Sequence, residues 1–359
     1  MIEFDYKILQ CPITKEELLF TNKKEVSNYL DEQDSVQFNK KNIECGFINK
    51  SEKYFYPIIE DIILLLPVYA FYIGEDRDLR EKMVFDKERV FNYYNDITYD
   101  LKNGKKIYKD SPKWVDFRDV ANKYIRNSFT KAKKYLNPKG KYLLDIASGP
   151  IGLKEYLELS ENFEYRICAD ISVNALIKAK LNYSPKKGIY ICADITNIPL
   201  KENTCDSVLC QHTLYHIPKN EQKTAVNEMY RVVKPNSNIA IVYSLFFHSW
   251  FMNITLFPIQ LYRIVRHITG KIYVRLFNSK PRLYFYPHSL RWFKRNFEFS
   301  QNIDFYCWRS TNKYFLNLYI HKWFFGSKLL EKLKNSEDKH PKFWGRFGEY
   351  PVVLIKKEG

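Results

Sequence analysis

Lys141-Tyr-Leu-Leu-Asp145-Ile-Ala-Ser-Gly149-Pro-Ile-Gly152 reads as an apolar strand running into a glycine-bearing loop, and Leu153-Lys-Glu-Tyr-Leu-Glu-Leu159 continues it as a helix. Such a loop lets backbone N–H groups approach a nucleotide-like ligand at a helix start. Alone the pattern is weak, because Ala-x-Gly-x-x-Gly also arises in plain strand-to-helix turns. The neighbouring sequence gives it weight. Strand-like runs at 142–146, 165–171, 188–192, 207–210 and 238–243 alternate with helical runs such as 173–181 and 219–233. That alternation predicts a doubly wound parallel α/β sheet, whose ligands bind at the carboxyl ends of the strands.

Three of these strands end in an acid: Asp145, Asp170 and Asp194. Asp170 lies 25 residues beyond Asp145, a spacing that suits a carboxylate bonding ribose hydroxyls at the second strand end. Asp194-Ile195 comes after Tyr190-Ile-Cys-Ala193, where an adenine amino group is met. One Asp at a strand end is ordinarily a cap or turn residue. Three at successive ends call for a ligand.

Size and composition set the frame. The chain has 359 residues, 45% hydrophobic and 27% charged, which is globular composition. It is long enough for two or three structural units. Seven cysteines, irregularly spaced and mostly inside apolar runs, predict reduced, buried thiols in a cytoplasmic protein. No basic segment followed by an apolar one opens the chain, so no signal peptide is expected. The formal charge of +16 is uneven. Residues 1–74 hold 8 Lys and 12 Asp/Glu, whereas 246–359 hold 20 Lys/Arg and 7 Asp/Glu. A basic region of this kind draws an anionic substrate, a nucleic acid or a membrane surface.

From Tyr142 to Tyr243 the chain resembles the class I S-adenosylmethionine-dependent methyltransferases, of the methyltransferase type 11 branch that includes the quinone C-methyltransferases. The resemblance rests on five ordered motifs: Leu-Leu-Asp-Ile-Ala-Ser-Gly149, Ala-Asp-Ile-Ser172, Ala-Asp-Ile-Thr-Asn-Ile-Pro-Leu200, Cys-Asp-Ser-Val-Leu-Cys-Gln-His-Thr-Leu-Tyr-His-Ile-Pro218 and Glu-Met-Tyr-Arg-Val-Val-Lys-Pro235. It implies a Rossmann-like seven-stranded sheet and S-adenosylmethionine as cofactor. It also implies Asp145, Ala147, Ser148 and Gly149 beside the methionine part, Asp170 and Ile171 on the ribose, and Asp194 with Ile195 at the adenine. Gln211 falls where this fold faces the transferable methyl. Ala147 stands where the first glycine is usual, and Ile151 where a third often appears.

The units read as a small β-rich module (1–74), a helical cap (75–140), the cofactor core (141–245) and a basic aromatic insertion with the closing strands (246–359). In the first, Cys-Pro-Ile-Thr-Lys15 and Tyr-Pro-Ile-Ile-Glu-Asp-Ile-Ile-Leu-Leu-Leu-Pro67 resemble the small zinc-ribbon-like methyltransferase activators. Only Cys11 and Cys45 remain as ligands where zinc needs about four, so no metal is expected. Candidate helices include Val84 to Tyr94 and Trp114 to Leu136. Phe343 to Ile355 fits a strand closing the sheet.

For the chemistry, a hydroxyl acceptor benefits from a general base, and His is the usual one near neutral pH. His212 and His216 come just after the fourth core strand and are the catalytic candidates. No Asp/Asn-Pro-Pro-Tyr tetrapeptide stands there, which speaks against methylation of exocyclic amines, and Cys210 lacks the preceding Pro of a pyrimidine-carbon methyltransferase. Tyr94, Tyr156 and Arg309 are candidate acceptor contacts, Arg309 for a phosphate or carboxylate. Residues 239–262 carry no charged side chain, and the stretch after them interleaves basic with aromatic residues. It is read as a lid over a bulky or lipid-linked acceptor, with peripheral membrane contact. The expected function is O-methylation of a small molecule, glycan or lipid-linked intermediate. An RNA acceptor, a nicotinamide-dependent oxidoreductase and a non-enzymatic partner subunit are the alternatives.

Overall fold

The protein is described as a computed structural model covering residues 4–22, 43–75, 77–80, 83–96, 99–102, 105–108, 115–183, 187–277 and 283–359. Trp114 therefore lies outside the described residues. One sheet runs through the molecule. Its strands are β1 (Leu18–Asn22), β2 (Cys45–Asn49), β3 (Tyr54–Ile59), β4 (Ile62–Leu64) and the short β5 (Phe71–Tyr72). A separate hairpin, β6 (Tyr99–Lys102) with β7 (Lys105–Tyr108), stands off the sheet. The sheet continues with β8 (Gly140–Ile146), β9 (Phe163–Asp170), β10 (Gly188–Cys192), β11 (Cys205–Gln211), β12 (Val233–Val242), β13 (Ile303–Arg309) and β14 (Tyr350–Lys356).

The spatial order is β1-β2-β3-β4-β10-β9-β8-β11-β12-β14-β13, with β5 beside β3. In that order, the stretch from β10 to β13 forms the expected seven-stranded Rossmann-like core. β8 to β12 are parallel, and β14 inserts antiparallel between β12 and β13. The apolar runs explain this: Tyr142 to Ile146, Ile167 to Ala169, Ile189 to Cys192 and Val208 to Cys210 are buried on both faces, as parallel strands covered by helices must be.

The N-terminal strands join this core. Ile62, Ile63 and Leu64 of β4 pair in parallel with Tyr190, Ile191 and Cys192 of β10. Gln10 N–H and Lys201 N–H donate across to Pro199 and Ile8 carbonyls at 3.1 and 2.8 Å. The β-rich segment thus extends the cofactor sheet and shares one apolar cluster with it, through Phe47, Tyr56, Ile63 and Leu65.

Several expected boundaries shift. The helix expected from Trp114 to Leu136 is Asp119–Phe129 followed by a 3-10 turn at Lys131–Tyr135. Phe343 to Phe347 is helical within Pro341–Phe347, and the closing strand begins at Tyr350. There Gly345 backs onto the Tyr306 backbone, leaving no space for a side chain. Residues 239–262 split between the end of β12 and two helices, Trp250–Thr255 and Phe257–Phe277. No helix among the described residues is long and apolar enough to cross a membrane. All seven cysteines are free thiols, six of them buried, and Cys11 lies 3.1 Å from the Tyr56 hydroxyl.

Candidate active site

Strand ends meet the helices above them around one cavity of about 1750 Å³, well beyond the roughly 300–1,000 Å³ of an ordinary ligand pocket. All fourteen expected site residues line it. Their roles differ more than their order in the sequence suggests.

On the first side, the loop after β8 is held in strained backbone. Ala147 (φ 57°), Gly149 (φ 58°) and Ile151 (φ 48°) are all left-handed. That geometry is free for glycine but costs an L-residue roughly 1–2 kcal/mol, which explains why glycine is usual where Ala147 stands. Ala147 N–H and Ser148 N–H donate to the Ala169 carbonyl at 2.7 and 3.2 Å. Gly149 N–H donates to Asp170 Oδ2 at 2.9 Å, and Ser172 N–H donates to Oδ1 at 2.9 Å. Burial pushes the Asp170 carboxyl up to about 6, with the Ser172 and Gly149 amides pulling the other way. Among the described residues no salt bridge involves this carboxylate, and Asp170 lines the cavity.

The other two acids have cationic partners. Arg166 donates to Asp145 Oδ2 through Nη2 at 2.5 Å and Nε at 3.1 Å, and both side chains are buried. Asp145 therefore fastens β8 to β9 beneath the loop. Breaking such a buried pair typically costs about 3–5 kcal/mol. Asp194 accepts Thr196 N–H and Oγ1–H at 2.8 Å each, and its Oδ2 pairs with Lys87 Nζ at 2.8 Å. Lys87, from helix Phe85–Asp96, also reaches Glu221 at 2.8 Å. Asp194 is thus a clasp between the helical cap and the core, and Ile195 beside it supplies the apolar wall.

Gln211 closes β11 with its Oε1 buried and without a hydrogen-bond partner. A buried acceptor left unmade is costly, and Gln211 is among the residues lining the cavity.

The second side is aromatic and basic. His212 comes next at φ 57°, its ring 4.7 Å from Trp308 and 5.6 Å from Tyr350. Burial, with Arg309 and His216 nearby, lowers its pKa to about 3, so its imidazole is neutral and weakly basic at working pH. His216 differs. Its Nδ1 lies 2.7 Å from the Tyr284 carbonyl, an acceptor, so Nδ1 carries a proton. Tyr94 and Phe285 stand over this ring at 6.5 and 5.7 Å. Tyr156 packs edge-on against Phe129 at 5.5 Å, and Phe129 against Trp308 at 6.0 Å. Arg309 is buried at the end of β13.

Sequence reasoning missed part of this wall. Arg263, Arg266 and His267 reach the cavity from helix Phe257–Phe277, and Glu349 and Tyr350 from the start of β14. None sits in a motif. The usable signal was i, i+3, i+4 spacing of Arg263, Arg266 and His267 in a helix whose first turns are otherwise uncharged. Among the described residues no cluster of three or more His, Cys, Asp or Glu could hold a metal ion.

Known proteins resemble this chain in part. An uncharacterised protein of Methanocaldococcus jannaschii is 36% identical over 110 residues, covering 31% of this chain and 44% of that protein. A demethylmenaquinone methyltransferase of Corynebacterium urealyticum is 33% identical over 102 residues, covering 28% and 41%. The chain thus spans less than half the length of these two curated relatives. A solved S-adenosylmethionine-dependent methyltransferase of Archaeoglobus fulgidus aligns over 66% of this chain and 94% of its own, at 14% identity and a TM-score of 0.41. Residues 144–241, the stretch from β8 to β12 that carries the three acids and both histidines, match the family described as "Methyltransferase domain".

Proposed function

We propose that the chain is an S-adenosylmethionine-dependent methyltransferase acting on an oxygen of a small-molecule, glycan or lipid-linked acceptor. The observation that carries this reading is one cavity with a carboxylate-and-amide side and an aromatic, basic side, lined also by Gln211, whose buried Oε1 has no hydrogen-bond partner among the described residues. The first side fits the donor. Asp170 accepts from ribose hydroxyls, the apolar Ile171 and Ile195 flank the adenine, and Gln211 takes an N–H of the methionine ammonium. When bound, S-adenosylmethionine supplies an electrophilic methyl group on a sulfonium. The protein's part is to align an acceptor oxygen with that methyl, which proximity alone accelerates greatly, and to remove the acceptor proton. His216 Nε2 is the better base: His212, at about 3, lies far from the operating pH that general-base catalysis favours.

Calorimetry with S-adenosylmethionine, S-adenosylhomocysteine and NADH tests the assignment. Both sulfur nucleotides are expected to bind and NADH is not. Asp170→Ala is expected to weaken the nucleotides more than tenfold, as loss of charge-assisted hydrogen bonds of about 1.5–3 kcal/mol requires. NADH binding with equal affinity refutes it in favour of a nicotinamide enzyme.

A specific observation supports membrane contact. On helix Phe257–Phe277, Phe257, Leu261, Val265, Ile268, Ile272 and Leu276 are all exposed and fall within about 100° of one another at 3.6 residues per turn. Arg263, Arg266, His267 and Gly270 occupy the opposite face and line the cavity. Trp323, 91% exposed, with Phe324 and Phe325, adds an aromatic corner. An apolar face on a strongly basic segment suits an anionic lipid surface. Sedimentation with phosphatidylglycerol vesicles at low salt is expected, and loss of it in Ile268→Glu with Leu276→Glu. Absence of sedimentation counts against membrane contact, and salt-sensitive retention of co-purifying RNA favours the nucleic-acid acceptor instead.

A further inference from the structure

The aromatic side of the cavity holds a buried positive charge that no ion pair among the described residues neutralises. Arg309 is 4% exposed. Its Nε–H donates to the Thr311 carbonyl at 3.1 Å, but Nη1 is buried with no hydrogen-bond partner. Next to it Trp308, 1% exposed, has an indole Nε1–H equally unpartnered. Both side chains line the cavity. The Arg309 guanidinium carbon lies 5.1 Å from the Trp308 ring and 4.8 Å from the Tyr350 ring. Across from it, Arg263 is stacked between Phe246 and Tyr314, 4.6 Å from each ring centre, and donates to the Gln260 amide oxygen at 2.7 Å.

Apart from Asp170 at the end of β9, the lining carboxylates are otherwise engaged. Asp145 is held by Arg166, Asp194 by Lys87, Asp116 by Arg118 and Glu155 by Arg126. Glu349 is the acid that feels both arginines. It is bonded instead to Ser244 Oγ and Asn312 Nδ2, at 3.4 Å each, and burial pushes its carboxyl upward. The strand end is also rigidly held. Ser310 N–H and Oγ–H donate to Glu337 Oε1 at 2.9 and 2.7 Å, and Lys131 Nζ donates to Glu337 Oε2 at 2.7 Å. A buried guanidinium fixed in place and left short of an anion is unfavourable in an empty site. It is favourable once a carboxylate or phosphate fills the fork.

We infer that Trp308, Arg309 and Arg263 form an anion subsite for the methyl acceptor, taking a carboxylate or phosphate monoester whose flat apolar body lies along Tyr350, Tyr156 and Phe129. This rests on the methyltransferase reading and narrows its substrate class to acidic, ring-bearing acceptors.

The test titrates the full-length chain, with and without S-adenosylhomocysteine, with benzoate, phenyl phosphate, neutral benzyl alcohol and dihexanoyl phosphatidic acid. At least one aromatic anion is expected to bind tenfold or more tighter than benzyl alcohol. That gap is expected to shrink below threefold in Arg309→Gln and to fall at least threefold in Trp308→Phe, which removes the N–H donor but keeps a ring. Nucleotide affinity within threefold of the parent protein certifies that each variant is folded, and Trp308→Phe carries the test if Arg309→Gln fails to fold. Binding of the phosphatidic acid in preference to both aromatic anions identifies a lipid phosphate as the source of the charge. Equal affinity for neutral and anionic probes, or a preference that survives both variants, overturns the subsite. Anion preference without nucleotide binding leaves the subsite standing and refutes the donor assignment.

Discussion

The two sides of the cavity are built by different means. Toward the strand ends of β8 to β10, recognition rests on backbone: left-handed residues, amides donating to Asp170, and acids clamped by Arg166 and Lys87. Toward β13, β14 and helix Phe257–Phe277, it rests on long side chains: Trp308, Arg309, Tyr350 and Arg263. Backbone recognition forces local sequence, because only certain residues accept those torsions and turns. Side-chain recognition does not, since an arginine can reach one point from many places. On the proposed reading, the contrast is that of a donor side set by backbone facing an acceptor side set by side chains.

The largest expected effect separates the two histidines. His216→Ala is expected to lower the single-turnover rate of methyl incorporation about 10²-fold, the low end for general-base catalysis, while donor affinity stays within threefold. His212→Asn is expected to leave the acid limb of the pH–rate profile where it was, because a group near 3 does not titrate in the working range. Radiolabelled methyl transfer into an acidic small-molecule extract measures both. Interchanged outcomes would reverse the two assignments.

A smaller effect concerns pH on the donor side. Asp170 must be ionised to accept two hydroxyls, and its carboxyl sits at about 6. Donor affinity is expected to fall, up to tenfold per unit, as pH drops below 6, and to be flat above 7. The sign for the empty fold is opposite. A carboxyl raised above the unfolded value of about 3.9 makes the fold lose stability as pH rises from that value to 6. Calorimetry from pH 5 to 8 checks the first trend and thermal unfolding of the apo protein the second, with Asp170→Asn abolishing both.

The smallest effect tests the strained loop. Ala147→Gly removes a left-handed Ala costing roughly 1–2 kcal/mol but returns about 0.4–1 kcal/mol of chain entropy. A net stabilisation of roughly 0.5 kcal/mol is expected in denaturant unfolding. A clear loss of stability would mean that Ala147 is not left-handed in solution.

The sequence made the strand-end side of the cavity readable, since strand alternation and three acids in step located β8 to β12 and the loop between Asp145 and Gly152. It could not separate the acids by role. Arg166, which occupies Asp145, sits inside an apolar strand, and Lys87, which occupies Asp194, lies in a helix far away along the chain. Their partnerships are tertiary. The side toward β13 and β14 was less legible for the same reason: Arg309 stood out, Arg263 was marked only by its spacing, and Glu349 has no local mark. Phe343 to Phe347, read as part of the closing strand, lies in a helix whose Gly345 sits against the Tyr306 backbone of β13, a tertiary contact that no local pattern marks.

The pairing of β4 with β10 bears on how the molecule comes into being. Ile62 to Leu64 leave the ribosome long before Tyr190 to Cys192 exist, and contacts so distant along the chain slow folding. Until β10 arrives, β4 offers an open row of amides and carbonyls, the ledge on which nascent chains cluster. The early segment must wait, and a cell making this protein fast should see it lean on chaperones.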